Sequence, residues 1–93
     1  MFNRGTLMKL AQAGKLVMVE AYHFDDMTGS ERNNKELPVR VRRPDEDWHD
    51  WPEGVCHLWE HDFKSKSGRA WENPNGTITL VVHSNSNYTF RRI

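Results

Sequence analysis

A lone cysteine, Cys56, is too few for an internal disulfide. That excludes a disulfide-stapled scaffold and favours a reducing compartment. No stretch approaches the roughly 20 apolar residues that a membrane span requires. The opening MFNRGTLMKLAQAGKLVMVEAYHF is interrupted by Lys9, Gln12, Gly14 and Lys15, so it does not read as a signal peptide. The expectation is therefore a cytoplasmic protein, and the sequons at Asn75 and Asn87 are chance matches. An excess of charge is missing too: thirteen Lys and Arg balance thirteen Asp and Glu. Such balance argues against non-specific nucleic-acid binding over the whole surface, which needs a basic surplus. Also missing is any complete catalytic or cofactor motif.

The 93 residues present suffice for one small domain. Thr6 can cap a short helix over Leu7 to Ala13, with Gly14 placed for a left-handed C-terminal cap. KLVMVEAYHF is rich in β-branched and aromatic residues and predicts a strand from Leu16 to Phe24. Val17, Val19 and Ala21 lie on one face; Leu16, Met18, Tyr22 and Phe24 lie on the other, and Glu20 breaks the pattern. Two apolar faces predict a central strand.

Asp25 to Glu36 is polar and predicts a long surface loop. LPVRVR, Leu37 to Arg42, alternates, with Arg40 and Arg42 outward and Pro38 suggesting a sheet edge. Val55 to Phe63 alternates as well and predicts another strand. KSKSG is a basic loop. Arg69 to Glu72 and Thr77 to Val82 predict a hairpin closed by Asn75-Gly76. SNSN at Ser84 to Asn87 makes a further turn into a last strand, Tyr88 to Ile93. The expected class is α+β: one short N-terminal helix packed on an antiparallel sheet or open barrel of about five strands.

Several clusters carry ingredients of chemistry without a full motif. Cys56, His57 and His61 offer zinc-type ligands. On a strand, however, His57 and His61 would stand roughly 13 Å apart and Cys56 would face the other way. For the same reason Cys56 cannot pair with its neighbour His57 as a nucleophile; a buried small hydrophobe is the plainer reading. No metal and no cofactor are expected. Arg40, Arg42, Arg43, Arg91 and Arg92 could merge into an RNA-binding or RNA-cleaving patch with His83 or Tyr88, if the last strand lies beside Leu37 to Arg42. Solvated arginines on strand faces are the simpler explanation. The KSKSG loop, Lys64 to Gly68, could meet a phosphate in a small-ligand or nucleotide-sequestering homo-oligomer, but it lacks the spacing of a phosphate-binding loop.

The most informative segment is DEDWHDWPEG. It places Asp45, Glu46, Asp47, Asp50 and Glu53 around Trp48 and Trp51, with no Lys or Arg. Burying a ring of this size removes on the order of 200 Å² from water, so exposed indoles need a reason. Either the rings plug an open end of the sheet, or at least one anchors a partner while the carboxylates steer toward a basic surface. The two are compatible.

Small size, a helix-plus-sheet pattern with long polar loops, no catalytic signature and this acidic segment together resemble, at class level, small phage-encoded anti-defence proteins, anti-CRISPR proteins among them. The resemblance implies an inhibitor without enzymatic activity, acting in the host cytoplasm, that binds a basic, nucleic-acid-handling protein complex and blocks it sterically. No membrane partner is implied.

Overall fold

The strand apolar on both faces does sit at the centre. In the computed structural model, which describes residues 1–25, 29–46, 53–64, 68–82 and 86–93, β1 (Leu16–Asp25) pairs along its length with β7 (Ser86–Arg92). On its other side it pairs first with β3 (Leu37–Arg42) and then with β2 (Gly29–Asn33). With β4 (Cys56–Trp59), β5 (Arg69–Glu72) and β6 (Ile78–Val82) the sheet order is β4-β3-β1-β7-β6-β5, β2 lying off this path beside β1. Five of the six described pairings are antiparallel, but β3 and β4 are parallel. The class is α+β, with seven strands among the described residues rather than about five.

Cross-strand partners share a face, and one row shows how the core is built. Ile78, Phe90, Met18 and Leu37 line up across four strands; the first three are buried and Leu37 is half-buried. A second row joins Ala70, Leu80, Tyr88 and Ala21. Helix α1 (Arg4–Gln12) covers this face, sinking Leu7 and Ala11 into the cluster. Its N-cap is Asn3, not Thr6: the Asn3 Oδ1 accepts from the Thr6 amide at 3.0 Å. At the other end Gly14 adopts φ +69°. There the Gly14 amide donates to the Ala11 carbonyl and the Lys15 amide to the Leu10 carbonyl, a doubly bonded left-handed cap.

Glu20 marks a β-bulge. Met18 faces Phe90 while Glu20 faces Thr89, so β1 advances two residues against one. The extra residue reverses the alternation. Ala21 joins the core face and Tyr22 turns to the opposite one, where its ring lies under Arg32 and Arg32 meets Glu20 at 2.8 Å.

Two expected elements take another form. Part of the predicted 25–36 loop is β2, fully exposed and polar, which is why it carries no apolar signal. The predicted strand over 55–63 stops at Trp59; helix α2 (Glu60–Lys64) follows and brings Phe63 into the core. Alternation over so few residues does not distinguish a strand from a strand-then-turn. The 69–82 hairpin forms as expected. The Gly76 amide donates to the Asn73 carbonyl and Gly76 holds φ +86°. The last strand begins at Ser86, two residues earlier than the sequence suggests. Among the described residues no helix is long and apolar enough to cross a membrane.

Candidate functional site

Of the residues singled out from sequence, Arg40 and Arg42 lie on β3, Arg43, Asp45 and Glu46 follow it, and Glu53 precedes β4. Because the two strands are parallel, the chain must return from the end of β3 to the start of β4 through residues 43–55, a crossover of the length such pairs need. This crossover is the acidic tryptophan segment. Asp47, Trp48, Asp50 and Trp51, together with His49, lie outside the described residues; Asp45, Glu46 and Glu53 do not.

The entry to the crossover is anchored by charge. Glu46, with its side chain 22% exposed, lies 3.4 Å from Arg40 Nη2 and 3.5 Å from Arg43 Nε. Its amide also closes a turn onto the Arg43 carbonyl. Glu46 therefore serves the chain's own arginines more than it faces a partner. Asp45 sits 3.9 Å from Arg43, but both are largely exposed and such a contact contributes little. Glu53 is exposed, and Gly54 turns the chain into β4 with φ +76°. Between the end of α1 and β3, Arg40, Arg43 and Glu46 line a cleft of about 380 Å³ with Ala11, Val39 and Val41. Its described lining offers two guanidiniums and one carboxylate, and neither thiol nor imidazole. Those groups can neutralise one another, but they do not form a nucleophile with its base.

Arg42 departs from expectation. LPVRVR places it outward with Arg40, yet it is 1% exposed. Its guanidinium lies 5.0 Å from the ring of Trp59, its register partner on β4. A cation removed from water needs such compensation. Trp59 in turn tilts against His61 with centroids 5.7 Å apart. Arg42 is thus a core residue of this edge.

The arginine patch does not assemble. Strand β1 separates β3 from β7, and consecutive residues Arg91 and Arg92 project to opposite faces. Arg91 grips Glu36 with both ends of its fork at 3.2 Å. Hydrogen bonding from Arg91, then its charge, holds the Glu36 carboxyl below its ordinary value. Arg92 meets Glu72 at 2.7 Å and lies over Phe2. Of the groups proposed to act with this patch, His83 lies outside the described residues, and Tyr88 is half-buried and stacked on Phe90.

The Cys56 thiol sits in the core, and burial pushes its pKa up to about 12. It therefore stays protonated at neutral pH and is a poor nucleophile. Among the described residues no three His, Cys, Asp or Glu side chains come together as metal ligands; His57 is on β4 and His61 on α2.

One polar pair could not be read from sequence. His23 Nδ1 and Ser86 Oγ approach to 2.7 Å across β1 and β7, 63 positions apart. Glu31 faces His23 from β2, but no ion pair joins the two among the described contacts, so the row lacks the third group that would orient the imidazole. No local motif could have signalled it. No family model matches the sequence, and comparison with curated proteins and with solved structures finds no match either.

Proposed function

We propose that the protein is a non-enzymatic binding module that docks the β3–β4 crossover on a basic surface of another protein. The observation that carries this reading is the distribution of charge. Arg40, Arg43, Arg91 and Arg92 each stand beside a carboxylate of the same chain, and Arg42 is buried. By contrast, Asp45 and Glu53 at the two ends of the crossover remain exposed. Phosphate binding is disfavoured at Arg40, Arg43, Arg91 and Arg92, each of which already has an anionic neighbour. Anionic steering toward a cationic partner has no such obstacle.

Within this reading Trp48 or Trp51 supplies the apolar anchor, since tryptophan is enriched where binding energy concentrates. Glu46 is reassigned: it fastens the crossover to β3 instead of meeting the partner. A nucleic-acid-handling complex in the cytoplasm presents the required surface, and steric blocking of such a complex would be inhibition of the anti-CRISPR kind. The test replaces Asp45, Asp47, Asp50 and Glu53 by Asn or Gln while keeping Glu46. The tagged wild type should capture a basic protein from an extract of its native host, and the variant should lose it at unchanged melting temperature. Equal capture by both would end the reading.

A further inference from the structure

A second surface lies at the opposite edge of the sheet. There the N-terminal residues and β5 enclose a groove of about 450 Å³. Its apolar walls include Met1, Phe2, Ala70 and Trp71, and its cations are Arg4 and Arg69; no carboxylate is among its described lining residues. The nearest acidic neighbour in sequence, Glu72, is held by Arg92.

Two features make this groove a receptor rather than a shallow irregularity. Trp71 is 41% exposed, yet its orientation is set: its Nε1 donates to Asn73 Oδ1 at 3.0 Å. Asn73 is fixed in turn by bonds from its Nδ2 to Thr77 Oγ1 and Thr79 Oγ1 at 3.1 and 2.9 Å. An exposed ring already held in place loses little freedom on binding. Arg4 is half-buried, and its Nη1 is shut from solvent with no hydrogen-bond partner. A guanidinium partly withdrawn from water in this way interacts more strongly with a carboxylate that reaches its open side. In addition, β5 pairs with β6 alone, so no described strand occupies its outer edge.

We propose that this groove receives the acidic tryptophan segment, residues 45–53, of a second copy of the chain. Complementarity singles out this occupant. The segment has five carboxylates, two indoles and no cation; the groove has two guanidiniums, an apolar wall and no described carboxylate. Segment and groove belong to opposite ends of the strand order. Segment and groove are unlike patches, so the contact repeats from copy to copy and closes as a ring or runs on as an open chain. The inference shares its acidic segment with the proposed function but rests on the groove.

Sedimentation velocity of the full chain tests it. The wild type should sediment faster as concentration rises at low salt, and this should fade at high salt. Arg4→Glu with Arg69→Glu should weaken association by at least about tenfold, through like charges meeting at the contact. Glutamate at the first helical position suits the helix dipole, so the fold should persist, as circular dichroism would verify. Trp71→Ala offers a second route to the same loss. Lysine at Asp45, Asp47, Asp50 and Glu53 should abolish association too. Mixing that variant with the groove variant should restore it, because each keeps one native half. A monomeric wild type at every concentration, association indifferent to the groove variants, or a mixture that stays apart would each overturn the inference. Capture of a host protein by the groove variant would show that the proposed function survives such a failure.

Discussion

The centre of the sheet and its β3–β4 edge both exclude water, but with different side chains and different geometry. Across β6, β7 and β1 the buried row is Ile78, Phe90 and Met18, paired antiparallel and free of charge. At the edge the pairing is parallel, and Arg42 is buried under Trp59 on the face opposite Leu58 and Cys56. The centre gains from apolar area removed from water. The edge instead buries a cation against a ring and fastens an acidic crossover with Arg40 and Arg43. The contrast separates a part of the molecule that exists for stability from one whose polar burial is an expense that stability alone does not require.

The sharpest way to break the contrast is at Phe90, fully buried in the middle of the row. Phe90→Ala should lower stability by about 4 kcal/mol, read by urea denaturation. A loss near zero would mean the centre is not the stabilising part. Next comes Arg42. Arg42→Ala should lose about 2 kcal/mol through its stem packing and its contact with Trp59. Arg42→Met should recover most of that loss, since an apolar chain of similar length keeps the packing without the buried charge. If Met proves as damaging as Ala, the charge itself holds the edge.

The smallest effect is expected at Glu36 and Arg91, where the two regions meet on the surface. The folded pKa of Glu36 is depressed, so the pair stabilises above the ordinary carboxylate value of 4.5 and fades as pH falls through the folded value. Glu36→Gln should therefore melt slightly below the wild type at neutral pH and level with it in strong acid. A gap that widens on acidification would contradict the sign.

The sequence made the centre readable because its signals are local. The apolar faces of KLVMVEAYHF, the Asn75-Gly76 turn and Gly14 all report on backbone within a few residues. Even the lapse at Glu20 was a true signal, the reversal that a bulge imposes. The edge was less readable. The alternation of LPVRVR cannot say that β4 will bring Trp59 over Arg42, because that contact depends on a parallel pairing set by the crossover. Nor can VCHLWEHDF announce the switch to helix after Trp59. The acidic segment stood out by composition, but the turning of Glu46 onto Arg40 and Arg43 is a tertiary fact. The His23–Ser86 pair, made by strands far apart in sequence, was out of reach for the same reason.

The central claim is that the carboxylates of the crossover steer the protein onto a cationic partner. Its most direct test is the association rate constant with the captured partner, measured for the wild type and for the variant lacking Asp45, Asp47, Asp50 and Glu53, at low and high salt. The account predicts a wild-type rate that falls steeply with salt and a variant rate that is slow and nearly flat. Equal rates with equal salt dependence would contradict it.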